Sequence, residues 1–327
     1  MKSLVFPRVI VPLVIGVLII IVLLGAADVG RVLRVVSGFH PLYVLLLFAL
    51  ALAYEAVRAV QWFLLLRVLD RREPWRAALM SYLGGELSKS LPGGQYVQTY
   101  LLRQAQGVPI ARSAAATTVI LWLEVVVSLV VVLLLGVGPW PWVRPASLLL
   151  LGGIALVALA LKRRPYATQL GIATRNHRRL HAAWAWVLDF SLSAERLLAP
   201  RALGVAAILS AAYLGCAALG LWAIARALGV PGIGLPQALV CYAFALGMGL
   251  LIPIPMDLGL TEGSGVAILL ASGASTPDAV AIMLIQRVLG ALLTSPIAAV
   301  SLFAVRRQLG AALHAGARTS DSAAPLV

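Results

Sequence analysis

Eight ionisable side chains interrupt otherwise apolar stretches of this 327-residue sequence: Glu55, Arg58, Glu86, Lys89, Glu124, Asp257, Glu262 and Arg287. One unpaired charge in the middle of a membrane costs roughly 2.5–3.5 kcal/mol on insertion scales. Eight of them facing lipid would cost on the order of 20 kcal/mol, more than the whole free energy of unfolding of a typical protein. We therefore expect these groups to pair with one another or to face water.

Two of the acid–base combinations have a spacing of three residues. Glu55 and Arg58 lie on one face of a predicted helix and can pair locally, in a structural or a functional role. Glu86 and Lys89 repeat the spacing just before Pro92. Because proline ends or kinks a helix, this second pair is expected beside exposed helix ends.

A second acidic group follows another proline. Asp257 and Glu262 come directly after Pro255. Acids and bases beside half-helix ends form a polar chamber that suits a zwitterionic or charged head group. The alternative is that the same charges only hold the kinked segments together, and the spacing does not separate the two interpretations.

Signals for catalysis or for a metal are weak. His177 and His181 have a helical i, i+4 spacing but lie in an Arg-rich stretch with no third ligand nearby, which is typical of a solvated helix face. Ser264 has no nearby His and is interpreted as a small residue for helix packing. The sequence contains neither a Gly-rich phosphate loop nor a nucleophile elbow. We therefore predict no catalytic residues, no metal and no cofactor.

The composition indicates which elements must position these side chains. Apolar residues make up 61% of the chain, charged residues 12%, and the mean hydropathy is +0.98. Long uninterrupted apolar runs favour membrane helices, because helices satisfy every backbone amide internally. We predict an all-α integral membrane protein with about six full spans: Val9–Ala27, Leu42–Leu66, Ser113–Val137, Ala146–Leu161, Ala202–Ala225 and Pro277–Val305.

Two further apolar regions, Trp75–Gln106 and Leu235–Gly273, are broken near their middles by Pro and Gly. Each is predicted to form two half-helices that meet at a kink, in a re-entrant hairpin. An offset of 163 positions relates Pro92 to Pro255, and Glu124 to Arg287. With three spans between the hairpins, this predicts an inverted repeat, 42–161 and 202–307, with its site near the midplane.

The charge distribution predicts the orientation. The net charge is +14, and most of the 26 Lys and Arg residues fall on one face of this topology. Positively charged loops are typically cytoplasmic, so both termini are predicted in the cytoplasm of a bacterial or archaeal inner membrane. The partner expected for these basic residues is an anionic membrane surface, and no nucleic acid is expected. We divide the chain into one membrane domain, 1–307, with a basic interfacial segment at 162–201, and a disordered tail, 308–327.

Four motifs in order resemble the flippase-like family named for the transmembrane domain of lysylphosphatidylglycerol synthase. They are Gly85-Glu86-Leu87-Ser88-Lys89-Ser90-Leu91-Pro92, Glu124, Pro255-Met256-Asp257-Leu258-Gly259-Leu260-Thr261-Glu262, and Arg287. The resemblance covers about Tyr54 to Val305. Lys89 stands where the family usually has Arg, and Met256-Asp257 replaces a Gly pair.

The resemblance implies movement of lipids between leaflets, such as aminoacylated phosphatidylglycerol, other phospholipids or polyprenyl-linked glycolipids. Larger relatives carry a soluble aminoacyl-transferase domain after the membrane part. This sequence shows none, so we expect a non-enzyme that moves what a separate lipid synthase makes. Two alternatives are a non-transporting accessory subunit of a lipid-synthesis complex and a membrane-embedded lipid-modifying enzyme.

Overall fold

The computed structural model of this chain describes residues 30, 41–70, 74–86, 94–136, 144–145, 147–153, 178–251, 259–290 and 292. Within these ranges the regular secondary structure is helical and contains no strand. The all-α class predicted from the apolar runs is therefore confirmed for the part of the chain that is described.

The first half of the described chain contains four long or medium helices. They are α1 (Pro41–Leu69), α2 (Trp75–Glu86), α3 (Val97–Gln106) and α4 (Ile110–Leu135). A 3-10 turn, Gly94–Tyr96, leads into α3, and a short helical stretch follows α4 at 147–153. Helix α3 ends at Gly107, whose positive φ of 72° suits glycine as a helix stop.

The second half of the described chain contains five helices. The elements are α5 (Arg178–Leu197), α6 (Pro200–Ala227), α7 (Leu235–Leu251), α8 (Leu260–Ala271) and α9 (276–290). Pro200 starts α6, where its fixed φ and missing N–H are tolerated. The Ser275 side chain accepts a hydrogen bond from the Asp278 backbone N–H at 3.4 Å, an N-cap for α9.

Three of the predicted spans are confirmed. Helices α1, α4 and α6 are long and apolar enough to cross a membrane, and they coincide with the predicted spans Leu42–Leu66, Ser113–Val137 and Ala202–Ala225. The predicted span Pro277–Val305 is helical through 290, and Ala146–Leu161 is helical at 147–153. Val9–Ala27 lies outside the described residues, as do the remainders of the two partly described spans and the tail 308–327.

Each of the two broken regions consists of two helices that pack against each other. Helix α2 contacts α3, and α7 contacts α8. The connecting residues 87–93 and 252–258, which contain the proline breaks, lie outside the described residues. The closest approach within the first pair is at Gly85, where a Cβ atom would lie 2.8 Å from Cβ of Gln98.

The full-span helices form the frame around these pairs. Helix α6 packs along α1, α4 packs against α7, and α5 lies against α4. The ends of α1, α2, α3 and α4 also surround one cavity of about 270 Å³, to which Leu69, Pro74, Gln106 and Pro109 contribute. Helix α2 therefore begins, and α3 ends, beside the C-terminal end of α1 and the N-terminal end of α4.

Candidate functional site

An ion pair joins two of the full-span helices. Arg58 of α1 contacts an Oε1 of Glu124 of α4 through its Nη1, and the two residues are only 6% and 3% exposed. At 1.5 Å per residue, Arg58 lies about 17 Å from the end of α1 at Leu69, and Glu124 about 21 Å from the start of α4. Since a hydrocarbon core is about 30 Å thick, both charges belong in its central part.

Two further carboxyl groups lie beside this pair. Glu55 is buried and accepts a hydrogen bond of 2.9 Å from the hydroxyl of Tyr82 in α2. Glu86, at the end of α2, lies within electrostatic range of the Tyr82 hydroxyl and of the Arg58 guanidinium. The structure thus brings together Glu55, Arg58, Glu86 and Glu124, four of the residues that the sequence singled out.

Both members of the predicted local pair, Glu55 and Arg58, contact a residue of another helix. Arg58 contacts Glu124, and Glu55 accepts a hydrogen bond from Tyr82. A helical spacing of three residues places two side chains on one face of a helix. This spacing carries no information on which residues of neighbouring helices contact the two side chains.

Tyrosines lie around this cluster, and the sequence did not predict them. The Tyr54 hydroxyl donates to that of Tyr213 at 3.0 Å, and the two ring centroids are 4.4 Å apart. The Arg58 guanidinium lies 4.6 Å from the centroid of the Tyr213 ring, a cation–π contact. Tyr242 of α7 adds a third hydroxyl beside these two. Tyr54 precedes Arg58 by one helical turn, which was a usable signal, whereas Tyr213 is 159 positions from Tyr54.

A second ion pair lies in the other half of the molecule. Nη1 of Arg287 in α9 lies 2.9 Å from Oε1 of Glu262. The other carboxylate oxygen of Glu262 accepts the backbone N–H of Gly259 at 2.7 Å, so this side chain also caps the first turn of α8. Gly259 has a φ of 79°, which favours glycine at this start. Glu262 is 1% exposed, whereas the Arg287 side chain is 33% exposed.

Three predicted site residues, Lys89, Pro92 and Asp257, lie outside the described residues. The roles predicted for them stay predictions. Among the residues that the structure does describe, no three His, Cys, Asp or Glu side chains are placed to hold a metal ion.

The two halves correspond in element order. Each has a long helix, two helices that pack together, and a further helix, which are α1–α4 in one half and α6–α9 in the other. The starts of α3 and α8, Val97 and Leu260, are separated by the offset of 163 positions found in the sequence. The same offset relates Glu124 to Arg287, and each of these takes part in an ion pair.

These features define a class, an all-helical integral membrane protein whose interior carries charged side chains. The sequence matches the model of the family described as the lysylphosphatidylglycerol synthase TM region over residues 9–298, and the chain belongs to that family. It is also similar to a protein described as "UPF0104 membrane protein" from Methanothermobacter thermautotrophicus. The two are 22% identical over 314 residues, which covers 86% of this chain and 89% of that protein.

Proposed function

We propose that this protein translocates lipids between leaflets, by passing the head group through the chamber while the acyl chains stay in the bilayer. The observation that carries the proposal is the cluster around Arg58, in which three carboxylates and several tyrosines meet about halfway along full-span helices. Ionisable groups are rare at this depth, and they typically mark the path of a substrate or an ion.

The two helix pairs support an arrangement as re-entrant hairpins. Helix α2 begins and α3 ends at the same cavity, where α1 also ends and α4 begins. A chain that enters the membrane through α2 and leaves it through α3 on the same side would produce this meeting of four helix ends. Irregular backbone at the turn is tolerated at membrane depth only where it faces protein or water.

The repeated element order supports alternating access. In an inverted repeat, the second hairpin enters from the opposite face, and the two hairpin tips converge near the midplane. Opposite movements of the two halves would then expose the chamber to one leaflet at a time. Movement is passive or is coupled to an ion gradient, since the sequence shows no nucleotide-binding motif.

Head-group recognition follows from the charges. Glu86, Asp257 and Glu262 attract cationic groups, while Lys89 and Arg287, with the half-helix N-termini, hold phosphate. The substrates proposed are aminoacylated phosphatidylglycerol, another phospholipid or a polyprenyl-linked glycolipid, delivered by a separate synthase.

Helix α5 supports the proposed orientation, with both termini in the cytoplasm of an inner membrane. It begins with Arg178 and Arg179 and carries an exposed Trp186 that stacks on Phe190 at 5.5 Å. Basic residues and an indole on one helix are typical of the membrane–water boundary on the cytoplasmic side.

Reconstitution tests the proposal. Proteoliposomes with the full chain are loaded with lipids that carry a fluorophore on the acyl chain, and exposure of each lipid in the outer leaflet is followed with a membrane-impermeant quencher. We expect wild type to move at least one lipid faster than empty vesicles, Glu86→Gln to slow that movement, and Glu195→Gln, on the exposed side of α5, to leave it unchanged. Wild-type vesicles that match empty ones across the whole lipid panel would refute translocation.

One observation favours a second function, that of a non-transporting accessory subunit. The side chains of Arg58 and Glu124 are 8% and 2% exposed, as in an ion pair that only holds two helices together. Under this alternative no lipid moves in the reconstituted vesicles, and the protein co-purifies with a lipid synthase.

A further inference from the structure

We infer that the ion pair between Arg58 and Glu124 occupies the place of the substrate's own charges. The chamber would then accept a head group that carries one phosphate and one primary ammonium, with no net charge. The phosphate replaces Glu124 at Arg58, and the ammonium replaces Arg58 at Glu124. This inference rests on the proposed translocation and specifies the head group that is moved.

The guanidinium of Arg58 is not fully used in the structure. It contacts Glu124 through Nη1, while Nε is buried and finds no acceptor among the residues that the structure describes. Arginine offers five N–H donors in a planar fork, which matches the oxygens of a phosphate group. A phosphate oxygen would therefore fill donor capacity that Glu124 leaves open.

The surroundings of Arg58 fix its orientation and supply further donors. The ring of Tyr213 lies under the guanidinium at 4.6 Å and restrains its plane. The hydroxyl groups of Tyr213 and Tyr54 are 3.0 Å apart and can rotate toward an anionic oxygen. These contacts hold the guanidinium in a fixed orientation for an anionic group.

A further polar group lies one turn beyond Glu124 on α4. The hydroxyl of Ser128 is buried and makes no hydrogen bond within the described part of the chain. Ser128 faces α7 at Gly247, where a Cβ atom on the glycine would lie 3.9 Å from Cβ of Ser128. Because a buried hydroxyl without a partner is uncommon, it indicates a ligand or a water in this part of the chamber.

The charge requirement selects the head group. When one member of a buried ion pair loses its partner, an uncompensated charge remains, which is strongly unfavourable. A purely anionic head group would satisfy Arg58 but leave Glu124 uncompensated. A head group that carries a phosphate and one ammonium compensates both, so the number of paired charges in the chamber is unchanged after the exchange.

The test measures head-group preference in the proteoliposome assay. The probes are phosphatidylethanolamine and phosphatidylglycerol, both labelled on the acyl chain, so that their head groups are intact. We expect wild type to move the ethanolamine lipid about tenfold faster than the glycerol lipid. Equal rates for the two lipids would overturn this inference and leave translocation standing, whereas movement of neither lipid, nor of any other in the panel, would overturn both.

Two variants test whether the pair itself sets the preference. Glu124→Gln keeps the positive charge of Arg58 without its carboxylate, so the preference is expected to shift toward phosphatidylglycerol. The double variant Arg58→Gln/Glu124→Gln removes both charges of the pair, and its rate ratio is expected to fall to about one. A merely structural pair would change both rates together, so an unchanged ratio in the double variant overturns the inference even if Glu124→Gln fails to fold.

Discussion

The two halves of the molecule each carry an ion pair, but the pairs are built differently. In the first half, Arg58 and Glu124 come from two full-span helices, and both are covered by neighbouring side chains. In the second half, Glu262 comes from the start of a short helix and divides its oxygens between Arg287 and the backbone of Gly259. The residue from the last helix of each half is acidic in one and basic in the other.

This difference indicates that the two ion pairs have different mechanical roles. Glu124 contributes a contact between helices that can separate, because neither helix needs its carboxylate in order to form. Glu262 contributes to the formation of α8 itself, because its carboxylate accepts the backbone N–H of the N-cap residue Gly259. We therefore expect the first pair to separate more readily when a substrate binds, while Glu262 also holds the start of α8 in shape.

The largest effect is expected from Arg58→Met. It leaves the carboxylate of Glu124 buried without a counter-charge, and the free energy of unfolding should fall by about 3–5 kcal/mol. The control is the double variant Arg58→Met/Glu124→Met, which removes both charges and should recover most of that loss. Denaturant unfolding in detergent measures both variants. Equal losses for the single and the double variant would contradict the importance of the pair.

In the second half, Glu262→Gln and Glu262→Ala separate the ion pair from the cap. Glutamine keeps an acceptor for the Gly259 N–H but loses the charge, whereas alanine loses both. Because the Arg287 side chain is 33% exposed and can be hydrated, Glu262→Gln should cost less than Arg58→Met does. Alanine should cost about 1 kcal/mol more than glutamine, the usual value of a helix cap. Denaturant unfolding in detergent measures both variants. Equal losses in the free energy of unfolding for the two substitutions would exclude a role for the cap.

The packing of the two halves can be compared through Gly85 in α2 and Gly265 in α8. A Cβ at Gly85 would lie 2.8 Å from Cβ and 3.0 Å from the backbone nitrogen of Gln98, whereas a Cβ at Gly265 would meet the flexible end of Met283. Gly85→Ala should therefore destabilise the protein by about 1–3 kcal/mol. Gly265→Ala should cost less, because the methionine can move and alanine favours a helix. Thermal unfolding measures both variants. A larger loss for Gly265→Ala than for Gly85→Ala would show that α2 and α3 are loosely packed.

The smallest effect is expected where α5 meets the first half. Arg112 donates from Nε to Asp189 at 3.3 Å, with side chains 47% and 35% exposed. Exposed ion pairs contribute little, so Arg112→Ala should change the free energy of unfolding by less than about 1 kcal/mol. High salt should reduce this difference further. A loss as large as that of Arg58→Met would mean that α5 is a structural part of the chamber.

Much of the architecture could be predicted from the sequence because its causes are local. Uninterrupted runs of Leu, Val and Ala predicted α1, α4 and α6 to within a few residues. Proline and glycine predicted that the regions around Pro92 and Pro255 do not continue as single helices, and two helices flank each break. The ends of the spans were predicted less accurately, because apolar runs change gradually into polar sequence there. Helix α1 continues to Leu69, and α6 begins at Pro200.

The candidate site was predicted only in part. The cost of an unpaired charge in lipid required Arg58 and Glu124 to find partners, but it did not say that they are partners of each other. The tyrosines were missed because a phenol carries no charge and is common in membrane helices. The double use of the Glu262 carboxylate depends on the backbone geometry at Gly259, which a single sequence does not reveal.

The sequence by itself determined that the protein is helical, that it lies in a membrane, and that its buried charges must be neutralised. These follow from the free energy of moving backbone amides, apolar side chains and charges out of water, which depends on residue types and their order. Only the tertiary structure decided which charges meet. That choice depends on how helices distant in sequence cross and rotate against one another, and the crossing of α1, α4 and α6 places Arg58 between Glu124 and Tyr213.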